Sequence, residues 1–169
     1  MRKLVPLLAL VAVPVTAQNP PVWPVSATGR ACTAVQPVPD AESGRLRVTY
    51  DAARQEVLLT SASHVESATP ANGTIDLNLV FTDNGREKYD DQWAKRRFTV
   101  VRDGDEAQFT TRFAGKDNVS QILADLANSR RIGFLRKSGT DPMMAYFLDG
   151  LAPAIGQLKE CAARAATAS

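Results

Sequence analysis

The chain holds one histidine, His64, and two cysteines, Cys32 and Cys161. That scarcity excludes most catalytic chemistry at once. A zinc site of the Cys/His kind lacks ligands. His64 stands in a polar stretch with no second histidine or neighbouring cysteine, and no nucleophile elbow or His–Asp pairing marks a serine triad. A solvated histidine is the expected reading of His64. The glycines are scattered and make no phosphate-cradling loop. Asp90-Asp91 and Asp103-Gly104-Asp105 lack calcium-loop spacing and read as solvated turns. There are no internal repeats and no low-complexity tracts. No catalytic residue, metal ligand or cofactor is assigned, and a non-enzymatic protein is expected. An enzyme with an unrecognised site near His64 is the remaining alternative.

Long apolar runs are also missing, except at the front. Arg2-Lys3 precede an apolar stretch from Leu4 to Val15, and Val15-Thr16-Ala17 offers the small residues of a cleavage site. The run is interrupted by Pro6 and Pro14 and is short of the roughly 20 apolar residues a membrane span needs. Residues 1–17 therefore read as a signal peptide, with a retained anchor as the competing reading. Residues 18–169 read as one β-rich domain of 152 residues, enough for a real core. A periplasmic or secreted protein with no stable membrane insertion after cleavage is expected.

Excess charge of one sign is absent as well. Loss of Arg2 and Lys3 with the leader leaves 18 basic and 18 acidic residues. A neutral domain gives no electrostatic reason to expect nucleic acid or an acidic membrane as partner. In an exported chain two cysteines most simply form one disulfide, Cys32 to Cys161, with two free thiols as the alternative. No Cys-x-x-Cys suggests redox work.

What is present is strand and helix periodicity. Gln18 to Pro24 holds three prolines and Trp23 and reads as an extended entry. Arg30 to Val35 reads as a first strand. Arg45 to Tyr50 alternates, with Leu46, Val48 and Tyr50 on one face, and returns through a turn at Asp51–Gln55 into Glu56 to Ser61. Thr74 to Thr82 places Ile75, Leu77, Leu79 and Phe81 inward, and only Val80 breaks the pattern. Phe98 to Arg102 and Ala107 to Phe113 flank Asp103-Gly104-Asp105 as a hairpin. Val119, Ile122, Leu123, Leu126 and Ala127 then recur at helical spacing, with Asn118 and Gln121 as a capping pair and Arg130-Arg131 near the helix end. Arg131 to Lys137 and Met143 to Leu148 read as paired strands. The second is apolar on both faces and is expected in the middle of the sheet. A last helix follows, with Leu151, Ile155, Leu158 and Ala162 on one face and Pro153 tolerable only in its first turn. The class is α+β: a mainly antiparallel curved sheet or partial barrel with two helices packed late in the chain.

Two surface stretches are candidates for a partner. Asn84 to Arg97 reads as a charged connection of 14 residues containing Tyr89 and Trp93. Connections of that length are often functional. Tyr89, Trp93, Arg96 and Arg97 are the candidate contacts with a protein partner. The alternative is a Trp93 that folds back over the sheet end while the charges only solvate the loop. Arg130, Arg131, Arg136 and Lys137 are a second candidate, a basic patch, against solvated helix-end and edge-strand charges.

The closing segment resembles a known pattern. Phe147-Leu148-Asp149-Gly150-Leu151 with Ala154 and Leu158, behind the basic strand Ile132 to Lys137, looks like the end of the invasion-associated locus B family. The resemblance covers about the last forty residues. It implies a small exported alphaproteobacterial protein with an antiparallel β-rich domain, without a defined enzymatic activity, some members being implicated in host-cell entry. A looser resemblance is to exported proteins of the same bacterial group that end in strand–Gly–helix–Cys. Two functions follow as expectations: a periplasmic binding or accessory protein acting through protein contacts, or a secreted inhibitor or host-interaction factor.

Overall fold

The computed structural model describes residues 22–37, 44–64, 72–83, 86–88, 93–136 and 142–167. Residues 1–17, expected to be a leader, Tyr89, Asp90-Asp91, Lys137 and the side chain of His64 lie outside the described set. Ten strands and two helices are described: β1 (Val25–Thr28), β2 (Ala31–Val35), β3 (Arg45–Asp51), β4 (Glu56–His64), β5 (Asn72–Asp83), β6 (Arg86–Lys88), β7 (Arg96–Asp103), β8 (Glu106–Ala114), α1 (Lys116–Asn128), β9 (Arg131–Arg136), β10 (Pro142–Phe147) and α2 (Leu151–Thr167).

Alternation builds the sheet. Leu46 and Val48 in β3, Val57 and Leu59 in β4, and Phe98 and Val100 in β7 are all buried, and the residues between them face outward. The strands join in the order β1-β2-β3-β4-β8-β7-β5-β9-β10, with β6 added to β5. Every pairing is antiparallel. Both helices lie against the inner face. α2 packs on β1, β2 and β3, α1 on β8, β4 and β5, and the helices touch each other. The class is α+β, as the sequence indicates.

The sheet is open, because no ladder joins β1 to β10. It is nevertheless curled enough for its two rims to touch. The Trp23 indole, just before β1, donates to the Asp149 carbonyl, just after β10, at 2.9 Å. Gln36, at the end of β2, donates from Nε2 to the Phe147 carbonyl at 3.4 Å. Its Oε1 accepts from the Leu46 amide at 3.1 Å, and its own amide donates to the Leu46 carbonyl at 2.9 Å. One side chain thus extends the β2–β3 ladder and reaches across to the far rim. Gln36→Ala leaves the buried Leu46 amide without this acceptor. We expect a loss of about 1–3 kcal/mol in urea unfolding.

Cys32 of β2 and Cys161 of α2 form a disulfide with Cα atoms 6.0 Å apart. It fixes α2 to the sheet alongside the buried stripe Leu151, Ala154, Ile155, Leu158 and Ala162. Pro153 falls in the first turn of α2, where its missing amide proton costs nothing. Gly44, just before β3, has φ +73°, and a Cβ there would collide with the Ala62 carbonyl across the β3–β4 pair. Gly44→Ala is therefore expected to destabilise the hairpin by about 1–3 kcal/mol, read as a lower melting temperature.

Three expectations need correction. β10 is a rim strand, not a central one. Its two-faced apolarity has another origin. Met144 and Tyr146 point into the core, and Ala145 lies on the outer face in a short row with Gly133 of β9 and Val80 of β5. Val80, on that outer face, is buried although it points away from the core cluster. Phe147 remains 54% exposed, with the Arg131 guanidinium 5.4 Å from its ring. The Asn118–Gln121 capping pair does not form. Gly115, at φ +89°, turns the chain into α1 without a side-chain cap, and Asn118 donates back to the Ala114 carbonyl. No basic residue sits in the last turn of α1. Arg130 lies beyond the helix and donates its amide to the Thr82 carbonyl.

Candidate partner-contact site

The stretch expected to be a loop contains strand at Arg86–Lys88 and again from Arg96. β6 returns along the second half of β5, pairing Lys88 with Phe81 and Arg86 with Asp83. β7 then pairs with the first half, from Leu77 opposite Arg96 to Asn72 opposite Val101. β6 and β7 therefore both run antiparallel along β5, with an interruption of the strand at residues 93–95 just before β7. Asn78 of β5 faces the gap, and its Oδ1 accepts from the Lys95 amide at 2.8 Å. Lys95 itself adopts φ +54°, a left-handed conformation unusual for a side-chain-bearing residue.

Trp93 fills this interruption from the inside. It is 0% exposed, so its ring offers no surface to a partner, and that part of the contact expectation is corrected. The reason is chemical. A buried indole needs an acceptor for its N–H, and Asp125 of α1 supplies one at 2.7 Å. The ring meets Phe113 of β8 edge to face, with centroids 5.1 Å apart. Trp93 thus ties the interrupted strand to α1.

Arg96 comes next and follows the inward alternation of Phe98 and Val100. It is at the strand's end, so its head emerges half-buried beside the rings instead of entering the core. The guanidinium carbon lies 4.6 Å from the Phe113 centroid and 5.9 Å from that of Trp93. One Nη donates to the Arg112 carbonyl at 2.7 Å. The Nε–H is sealed from solvent and has no acceptor among the described residues. Burial lowers the guanidinium below its ordinary pKa, by desolvation of the charge.

Arg97 takes the opposite face. Its side chain points outward and pairs with Asp76 at 3.3 Å, both well exposed. Arg97→Ala is expected to change stability by less than about 1 kcal/mol, as measured by chemical denaturation. Of the four contact candidates, then, Trp93 and Arg96 come together, Arg97 is turned away, and Tyr89 is not described. Phe113 and Asp125 belong to the same cluster and were not singled out in the sequence. Each lies far along the chain from Trp93. The only hint was the inward alternation of Phe113 and the place of Asp125 beside the apolar stripe of α1.

The second basic stretch divides in space. Arg130 and Arg131 are exposed at the start of β9, with Arg131 against Phe147. Arg136 ends β9, about 17 Å along the strand, with its Nε donating to the Met143 sulfur at 3.3 Å. Of the candidate patch, Lys137 lies outside the described residues, and the described arginines sit at opposite ends of β9. Among the described residues no group of three or more His, Cys, Asp or Glu is placed to hold a metal ion. His64 ends β4 opposite Glu106. In the core, Ser61 and Tyr146 both direct hydroxyls at the Met144 sulfur, at 3.3 and 3.8 Å.

In comparison with known proteins, no family model, curated protein or solved structure matches this chain. Among the described residues no helix is long and apolar enough to cross a membrane. Function therefore has to be argued from the Arg96 cluster itself.

Proposed function

We propose that the chain is an exported, non-enzymatic binding or accessory protein that acts through protein contacts in the periplasm or outside the cell. The apolar leader and the Cys32–Cys161 disulfide support the oxidising location. One observation carries the contact function. Arg96 is held half-buried on two aromatic rings with a charge that no described carboxylate balances. Arginine flanked by aromatic residues in a partly desolvated setting is a frequent composition for the energetic centre of a protein interface.

A photo-crosslinking residue at Ala94, which is exposed beside Arg96, tests this reading. The same residue at Thr99, exposed on the outer face, is the control. Discrete protein adducts from position 94 and none from position 99 are expected in cells that export the protein. Equal adducts from both, or none from either, would overturn the reading.

The secreted inhibitor or host-interaction reading keeps its support from the strand–turn–helix resemblance at Phe147 to Leu158. The same crosslinks separate the two. Endogenous envelope proteins in the adducts favour the accessory role, and host proteins favour the other.

A further inference from the structure

We infer that the open edge of the Arg96 guanidinium receives a carboxylate carried by the partner protein. The inference rests on the contact function proposed above and names the chemistry of that contact. It begins from the charge pairing around the site. Three acidic residues on elements surrounding Arg96 are committed elsewhere. Asp125 accepts from the Trp93 indole, Asp76 pairs with Arg97, and Glu56 pairs with Arg112. Arg97, next in sequence, and Arg112, across the strand pair, therefore each have an acid of their own, while Lys95 on the other side is exposed to solvent. Arg96 has none among the described residues.

The cation is nonetheless held in place. The Phe113 face supports it at 4.6 Å, the Trp93 ring flanks it at 5.9 Å, and the Arg112 carbonyl takes one of its protons. Five donors with a single hydrogen bond among the described residues leave most of the guanidinium's capacity unused. The Nε–H is shut away, so the usable donors are the Nη groups at the outer edge. A planar fork presented from an apolar cradle matches a carboxylate through two parallel hydrogen bonds. The low-dielectric rings strengthen such a pair relative to one formed in open water. Pre-fixing the side chain also removes part of the ordering cost that an exposed arginine would incur on binding. A lysine cannot reproduce this geometry, because its ammonium is a point donor without the fork.

The carboxylate has two sources in a protein partner, an acidic side chain or a chain terminus, and the test separates them. The 15N-labelled mature protein is titrated while the Arg96 Nε–H and Trp93 indole N–H resonances are followed. The probes are sodium acetate, N-acetyl-Ala-Glu-Ala-amide and N-acetyl-Ala-Ala-Ala with a free C-terminus. N-acetyl-Ala-Gln-Ala-amide and sodium chloride at matched ionic strength are the controls. Saturable shifts of both resonances with acetate and at least one acidic peptide, and none with the controls, are expected. The tighter-binding peptide identifies the source. Arg96→Lys is expected to weaken binding at least fivefold, and Arg96→Gln to abolish it, with the Trp93 indole resonance of each variant reporting an intact cluster. Shifts equal to those in chloride, no shift with any carboxylate, or undiminished binding in a folded Arg96→Gln would overturn the inference. The wild-type titration decides the matter even if a variant fails to fold. Crosslinked partners at position 94 that persist unchanged in Arg96→Gln would leave the contact function standing and remove the carboxylate. Saturable acetate binding without any crosslinked partner would do the reverse.

Discussion

Replacing both cysteines, Cys32→Ala with Cys161→Ala, is expected to cost the mature protein about 4–5 kcal/mol of unfolding free energy. That figure comes from the chain-entropy account of a long closed loop and is its upper guide. The two residues are 129 positions apart, so the bond removes a large share of the unfolded chain's freedom. The native state also depends on it. Cys32 is completely buried in β2, and Cys161 lies on the α2 face that covers β1 to β3. At roughly 2–4 °C per kcal/mol for a domain of this size, the midpoint falls by up to about 8–20 °C. Thermal scans of the double variant, and of the native protein with and without reductant, measure it. A shift of only a degree or two would show that α2 holds its place by packing alone.

Trp93→Ala is expected to have a comparable effect, about 3–5 kcal/mol, because it empties a fully buried aromatic site. Three connections are lost together: the edge-to-face contact with Phe113, the indole bond to Asp125 and the flank of Arg96. Trp93→Phe separates the first from the second. It keeps an aromatic ring and removes the N–H, so about 1.5–3 kcal/mol is expected from the unpaired carboxylate. Urea unfolding followed by circular dichroism resolves the two variants. A wild-type midpoint for Trp93→Ala would return the residue to the surface role suggested by its charged neighbours in sequence.

The two variants bear on what was legible beforehand. Strand periodicity was plain wherever one face met the core and the other met water, as at Leu46 and Val48 or from Ile75 to Phe81. The Asp103-Gly104 turn marked the β7–β8 hairpin, and the spacing of Ile122, Leu123 and Leu126 marked α1. Local rules failed where distant parts of the chain decide the outcome. Nothing near Trp93 announces that Asp125, 32 positions away, will take its proton. Its charged neighbours suggested exposure, whereas an interruption in one strand provides a slot for the ring. Arg96 and Arg97 look alike in sequence. Strand alternation sends one to an aromatic cradle and the other to a solvated ion pair. β10 reads as central because alternation there is blurred. The blur comes from an apolar row on the outer face, not from two neighbouring strands.

The placement of the disulfide bears on biogenesis. Cys32 precedes its partner by 129 positions, and in a chain exported amino end first it reaches the oxidising space while α2 is still to come. During that interval Cys32 has no intramolecular thiol with which to react. The bond can close only once α2 is present, and a product lacking α2 carries Cys32 as an orphan thiol.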